Sequence, residues 1–297
     1  RGPGSVPGRS TGGYTSGMAK TSAGTKRGTS AAGWRTASGS DIHELYELSV
    51  QDPQQEVDFV KQVWSELRNR PCRVIREDFC GTAAFAAAWV KDAAGHEAIG
   101  VDLDAPTLER ALRSAQEALT KGQRKRLRLI EGDVRSTPTE PVDCICAMNF
   151  SYFIFKRREE LLAYFRTAYE QLVVDGLLLL DAYGGSESYE ELEEERDLDG
   201  FTYVWDQHYY NPVTNDVINH IHFRFPDGTS IERAFSYNWR LWSLMEIQEV
   251  LLEAGFSRAV VYWEGTDEAT GEGNGEWSIT ARGEACQGWV AYIVGVK

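Results

Sequence analysis

Positive charge is scarce in this chain. Against 45 Asp and Glu stand 31 Lys and Arg, a formal net charge of −14 over 297 residues. A general polyanion binder needs clustered positive charge to displace counterions, so this balance argues against a nucleic acid partner. Long apolar runs are missing as well. The run around Leu177–Leu180 has strand length, none reaches the ~18–20 residues of a membrane helix, and no membrane association is expected. Cysteine is sparse: five residues, an odd number, without the spacing of a disulfide framework. Cys144-Ile145-Cys146 sits inside an apolar stretch rather than in a zinc knuckle. All five read as reduced thiols in a cytoplasmic compartment. Two phosphate-binding signatures, G-x-G-x-x-G and G-x-x-x-x-G-K-[ST], are absent.

The charge that is present is unevenly spread. Residues 1–40 hold six bases and no acid, leaving 25 bases against 45 acids in the remainder. These forty residues are mostly Gly, Ser and Thr, too poor in large apolar side chains to offset the entropy of ordering. They read as a disordered tail, with Met18 as the natural start and residues 1–17 as vector-derived. Within the folded part, Lys121, Arg124, Lys125, Arg126 and Arg128 form a basic cluster. It lies between a helix and a strand and reads as a solvated connection.

Order is expected from Asp41. Ser40 or Asp41 can cap a short helix through Leu48, and Asp52-Pro53 opens a second helix that Pro71 ends. Strand and helix patterns then alternate. Arg73–Glu77, Ala98–Asp102, Leu127–Glu131, Val142–Met148 and Gly176–Tyr183 read as near-continuous apolar strands. Helices fall between them, one of them capped by Asp104. Strands apolar on both faces and separated by helices predict a doubly wound, mostly parallel α/β sheet. After residue 185 the pattern changes. Ser186–Asp199 holds eight acids and reads as a solvated helix. Phe201–Tyr210, Val217–Phe225 and Ser230–Trp239, separated by Asn-Pro and Pro-Asp-Gly turn signals, predict an inserted antiparallel β meander. A helix stopped by Gly255 and two strands, Ala259–Trp263 and Trp289–Val296, close the chain around a Gly- and Glu-rich loop. The expected units are the tail 1–40, a core at 41–185, an insertion at 186–242 acting as a lid with the first helices, and completion of the core at 243–297.

In a doubly wound sheet, ligands bind beyond the carboxyl ends of the strands. The first strand runs into Glu77-Asp78-Phe79-Cys80-Gly81-Thr82-Ala83, where Gly81 allows a tight turn and close ligand approach. The second ends at Asp102, an acid placed to accept ribose hydroxyls. The third ends at Glu131-Gly132-Asp133. A glycine turn followed by an acid after each of the next two strands marks a nucleoside-binding edge. Carboxylates without a phosphate cradle suit a nucleoside that carries positive charge.

At these residues the chain resembles the class I S-adenosylmethionine-dependent methyltransferases, with a Rossmann-like methyltransferase fold. In that superfamily the first strand ends in D-x-G-x-G-x-G. Here Glu77 takes the acid position and Cys80-Gly81-Thr82 match directly, while Phe79 and Ala83 replace the outer glycines, giving a subgroup with an E-D-F-C-G-T motif. The resemblance extends over residues 41–297, through "DGLLLLDAYGG", "EAGF" and the closing strands. It implies S-adenosylmethionine as cofactor. Glu77, or its neighbour Asp78, holds the methionine amino group. Gly81 lies under the cofactor, Asp102 binds the ribose with Leu103 on the adenine, and Asp133 meets the exocyclic amine beside Val134. Asn149 borders the methionine, and Tyr46 closes over the cofactor.

The expected reaction is methyl transfer to a small-molecule nucleophile. A protein or RNA methyltransferase and a non-catalytic nucleoside-binding module are the alternatives. A weak nucleophile needs a general base; His208, His220 and His222 in the meander and Tyr152 after the fourth strand are candidates. His220 and His222 share a strand face, but no third ligand is evident, so no metal is expected. The meander is dense in aromatics, among them Tyr203, Trp205, Tyr209, Tyr237 and Trp239. Tyr183, Trp205, Tyr209 and Arg240 are the candidate substrate contacts. The oligomeric state is left open.

Overall fold

The computed structural model describes residues 35–267, 269–271 and 273–297. The expected tail therefore lies outside the described residues up to residue 34. The described residues include six that precede the expected Asp41. Arg35 pairs with Glu44 at 2.9 Å and lies over the Phe201 ring, and the Ala37 amide donates to Thr229 Oγ1 at 3.0 Å. Helix α1 (Ile42–Val50) starts where the Asp41 carboxylate accepts the amides of His43 and Glu44. Helix α2 (Pro53–Leu67) is capped by Asp52 with Pro53 in its first turn, and buries Val57, Val60, Val63 and Trp64.

The alternating segment then forms β1 (Val74–Asp78), α3 (Ala84–Asp92), β2 (Glu97–Asp102), α4 (Ala105–Ala118), the short α5 (Lys121–Arg124) and β3 (Leu127–Glu131). It continues with β4 (Val142–Ala147), α6 (Arg158–Gln171) and β5 (Leu172–Gly184). The inserted strands are β6 (Leu192–Leu198), β7 (Phe201–Asn211), β8 (Asp216–Arg224) and β9 (Ser230–Arg240). Helix α7 (Leu244–Ala254), β10 (Arg258–Thr266), β11 (Gly273–Thr280) and β12 (Trp289–Val296) complete the chain. Gly255 stops α7 with φ 115°, a conformation that costs glycine little.

The main sheet has the order β11-β10-β12-β5-β4-β1-β2-β3. Strands β3, β2, β1, β4 and β5 are mutually parallel; β12 runs antiparallel to β5 and β10, and β11 antiparallel to β10. Two apolar cores cover its faces. One packs Ile75, Cys144, Cys146, Leu177 and Leu179 against α2, α3 and α4. The other packs Ile145, Leu178 and Leu180 against α6, α7 and the second sheet. Burial on both faces explains why Cys144–Met148 and Leu177–Leu180 are apolar at successive positions. The chain winds outward from β1 to β3 and then crosses to β4, so the order reverses between β1 and β4. Doubly wound sheets bind their ligands at such a reversal, beyond the strand ends.

Two expectations are corrected. Ser186–Asp199 is not a helix: after a single 3-10 turn at Glu187–Tyr189, its acids lie on β6, the edge of a four-stranded sheet of order β6-β7-β8-β9. Glu193 and Glu195 alternate outward and clasp Arg224, while Arg196 turns in over the Tyr203 ring. A two-residue period beside a ready partner strand overrides the charge density that suggests a solvated helix. The closing loop also contains a strand, β11, paired with β10 across the turn. The basic cluster is structural in part. Arg124 donates to the terminal carbonyls of α4, Arg126 to those of Val90, Ala93 and His96, and Arg128 pairs with Glu140. No helix among the described residues is long and apolar enough to cross a membrane.

Candidate active site

The loop after β1 is built from left-handed residues. Phe79, Gly81 and Ala83 have φ of 58°, 50° and 55°. These are the three positions at which the D-x-G-x-G-x-G pattern has glycine, so the backbone keeps the shape while two of its glycines are replaced. A non-glycine residue in this region costs roughly 1–2 kcal/mol. Phe79 offsets part of that cost by packing its ring near Phe155 and Tyr164, at centroid distances of 5.9 and 5.8 Å. The loop is tied to β2: the Gly81 amide donates to Asp102 Oδ2 at 2.8 Å and the Asp104 amide to Oδ1 at 2.9 Å. Asp102 is thus held in one orientation, and each of its oxygens keeps a lone pair. Leu103 beside it is 66% exposed, an apolar side chain left facing solvent.

Glu77 and Asp78 point to opposite faces of the sheet, as neighbours on a strand must. Asp78 is fully engaged. It accepts from Arg76 Nε at 2.5 Å and from the Tyr164 hydroxyl at 2.9 Å, inside the core under α6. Arg76 goes on to the carbonyls of Val134 at 3.0 Å and Thr137 at 3.2 Å, which anchors the β3 loop. The alternative of Asp78 as the amino-group partner is therefore corrected: its charge is spent in a buried network. Glu77 accepts the Ala86 amide at 2.9 Å at the start of α3 and has no cation partner among the described residues. Burial, with repulsion from Glu56, pushes its carboxyl well above the usual range.

Asp133 accepts the Arg135 amide at 2.8 Å and pairs with its guanidinium at 2.7 Å. That contact holds its carboxyl below the usual range. Val134 is buried beside it. The tips of β1, β2 and β3 therefore lie side by side, Gly81 bonded to Asp102 and the Gly132 amide to the Asp102 carbonyl at 2.8 Å.

The tip of β4 is strained as well. Asn149 and Phe150 have φ of 58° and 57°. Asp181, on β5 and fully buried, holds both: its two carboxylate oxygens accept the amides of Asn149 and Phe150, each at 2.8 Å. Next to this turn lies a cavity of about 490 Å³ including its mouth, between Asn149 and Phe150 on one side and the inserted sheet and α1 on the other. Its wall is aromatic: Tyr46, Tyr203, Trp205, Tyr237 and Trp239. The Tyr203 hydroxyl and Trp205 Nε1 are buried without a hydrogen-bond partner. Burial pushes the Tyr203 and Tyr237 phenols up, so both are neutral.

Several candidates lie elsewhere. His208, His220 and His222 occupy the face of the inserted sheet opposite the cavity; the cavity face carries Tyr203, Trp205, Ile221, Tyr237 and Trp239. Strand alternation separates them, and none of the three is positioned as a base. Tyr152 is fully buried and donates to the Asp181 carbonyl at 2.8 Å, with its phenol pushed well up. It is a structural group. Tyr209 is 42% exposed because a β-bulge between Gln207 and Tyr209 shifts the alternation, so it pairs with Ile218 on the outer face. Arg240 lies 3.6 Å over the Trp242 ring and pairs with Glu246 at 2.7 Å, which pins the start of α7. Tyr183 sits one layer behind the cavity, its hydroxyl accepting from Asn219 at 3.1 Å and its ring edge-on to Phe150. Trp205 and Tyr46 line the cavity, and Tyr46 packs on Phe235 at 4.9 Å. Asp181 and Phe150 were not singled out from the sequence. An acid within the apolar run Leu177–Tyr183 is the signal that points to Asp181.

Residues 78–176 match the model of the methyltransferase domain family. No curated protein matches the chain. Among solved structures, the chain is similar to an S-adenosylmethionine-dependent methyltransferase of Clostridium acetobutylicum over 86% of its length and 97% of that protein's, at 16% identity and TM-score 0.63. It is similar to the sugar N-methyltransferase of Streptoalloteichus over 92% and 99% of the two chains, at 19% identity and TM-score 0.58. The amino pentose methyltransferase of Micromonospora echinaspora aligns over 86% and 97%, at 14% identity and TM-score 0.60. These likenesses show a shared fold. The domain match begins at the loop of left-handed residues: residues 78–176 form a methyltransferase domain, and the chain is an enzyme of methyl transfer with the fold of the S-adenosylmethionine-dependent methyltransferases.

Proposed function

We propose that this enzyme methylates a small molecule held in the aromatic cavity beside Asn149, with a neutral amine nitrogen as the acceptor. The observation that carries this reading is the cavity itself. Five aromatic side chains line it, and α1 and the inserted sheet wall it in, a concave apolar surface of the kind that holds small molecules. A protein or RNA substrate calls for an open groove instead.

The cofactor supplies a methyl group on a positively charged sulfur, an activated donor that needs positioning and desolvation. For that cofactor, Glu77 is the available carboxyl for the amino group, Asp102 the partner of the ribose, and Gly81 the backbone beneath. Leu103 offers an apolar surface to the adenine, and Asp133 with Val134 borders its amine. Asn149 lies where this groove meets the cavity.

Among the described residues lining the cavity there is no imidazole, and Tyr203 and Tyr237 are neutral. A nitrogen lone pair needs no base to attack. The apolar wall favours the neutral amine over the ammonium by desolvation. The unpartnered Tyr203 hydroxyl and Trp205 Nε1 can donate to oxygens beside that nitrogen. One N-methyltransferase among the similar structures, that of Streptoalloteichus, is a sugar N-methyltransferase, which agrees with this reading.

The test is methyl transfer from S-adenosylmethionine to a panel of small amines, amino sugars, peptides and RNA, alongside calorimetric binding of S-adenosylhomocysteine. Product with the small amines is expected. Asp102→Ala should weaken S-adenosylhomocysteine binding at least tenfold without loss of folded signal. Turnover on peptide or RNA alone overturns the small-molecule reading, and tight binding without product in any class favours a non-catalytic module.

A further inference from the structure

The outer face of the inserted sheet carries a cluster of ionisable groups that methyl transfer does not use. Asp206 and His208 on β7 face His220 and His222 on β8. One ligand atom each from Asp206, His208 and His220 lie within 4.8 Å of one another. Asp206 is paired in register with His220, and its Oδ2 lies 3.6 Å from His208 Nδ1 and 3.2 Å from His222 Nε2. The rings of His208 and His220 are 5.0 Å apart.

Three features make this more than a polar surface. Asp206, His220 and His222 are largely buried, so their polar atoms have little water to satisfy them. His220 Nδ1 is held at 2.8 Å by Ser236 Oγ, which fixes the ring and leaves Nε2 for another partner. His208 is half exposed and supplies both the entry path and the freedom to adjust. Tetrahedral zinc, with bonds of about 2.0–2.1 Å to nitrogen, sets ligand atoms about 3.3 Å apart, a distance that rotation of His208 can reach.

We propose that Asp206, His208 and His220 form a binding site for Zn2+, with His222 orienting the Asp206 carboxylate from behind. Two imidazoles and one carboxylate suit a borderline ion such as zinc rather than magnesium or calcium, which take oxygen ligands. The β-bulge between Gln207 and Tyr209 interrupts the β7–β8 ladder at this point. A bound ion joins the two strands across the gap and stiffens the sheet whose other face walls the cavity. Glu232, 2.5 Å from His222 Nδ1, adds negative charge, and Arg233 opposes it.

The experiment uses the full chain without a histidine tag, stripped with EDTA and titrated with ZnCl2 by calorimetry at pH 7.5, with thermal unfolding as a second readout. One equivalent of zinc should bind at micromolar or tighter affinity and raise the Tm, while MgCl2 and CaCl2 should do neither. His208→Ala and Asp206→Asn should each weaken zinc binding at least tenfold, and His43→Gln should leave it unchanged. At pH 5.5 affinity should fall at least tenfold, because protons compete with zinc for the ligand nitrogens. Substitution at the half-exposed His208 leaves the core intact, and far-UV circular dichroism verifies this. No zinc uptake at pH 7.5, or equal uptake by wild type and His208→Ala, overturns the site. Neither result bears on methyl transfer.

Discussion

At the scale of single residues, the β1 loop shows how a backbone can outlast its usual side chains. Ala83 is held at φ 55° with its methyl buried. Replacing it with glycine removes roughly 1–2 kcal/mol of left-handed strain and adds about 0.5–1 kcal/mol of unfolded-state entropy. Ala83→Gly should therefore leave stability unchanged or raise it by up to about 1 kcal/mol in urea unfolding. A loss larger than that would show that the methyl packing, not the backbone, dominates there.

Glu77 gives a pH test at the same scale. Its folded carboxyl is raised by burial and by Glu56, so its contribution to stability is fully present below its unfolded pKa of about 4.3. That contribution is lost as pH rises through the folded value. Glu77→Gln keeps an acceptor for the Ala86 amide and removes the ionisation. The variant should gain on wild type between pH 5 and pH 8 in urea unfolding, and parallel pH profiles would contradict the raised carboxyl.

At the scale of elements, the β4 turn depends on β5. Asp181 accepts two amides from consecutive left-handed residues. Asp181→Asn keeps one acceptor and sets an amide donor against the other N–H. That should cost about 1–3 kcal/mol and, by moving Asn149 and Phe150, raise the acceptor KM. Unchanged stability together with unchanged KM would remove Asp181 as a positioning residue. The parallel core was legible because apolar runs such as Cys144–Ala147 and Leu177–Leu180 are buried on both faces. The starts of α1, α2 and α4 were legible because Asp41, Asp52 and Asp104 use their side chains as caps. The acidic strand β6 was not, because charge density masks a two-residue period until a partner strand is present. The face of Tyr209 was not legible either, because an extra residue in one strand inverts the alternation and leaves no mark in composition.

At the scale of the whole molecule, the cores make a prediction about chemistry. Cys72, Cys80, Cys144 and Cys146 are buried and Cys286 is exposed. Burial pushes the Cys72 and Cys144 thiols far up, so thiolates are scarce there. A thiol reagent should titrate one of the five thiols in the native protein and all five in denaturant. Rapid loss of more than one would mean that the sheet opens readily on one face.

The inserted sheet shows where local reading stops. Its aromatics and its histidines are both visible in the sequence, yet one set walls the cavity and the other faces away from it. The sequence by itself determined the alternation of strands and helices, the caps and the carboxylates at the strand tips. Each of these follows from side-chain period and local hydrogen bonding, which act over a few residues. Only the tertiary structure decided which of Glu77 and Asp78 is paired, which face of β8 meets the core and which strands bring ligands together. Those outcomes depend on register and burial between segments far apart in the chain.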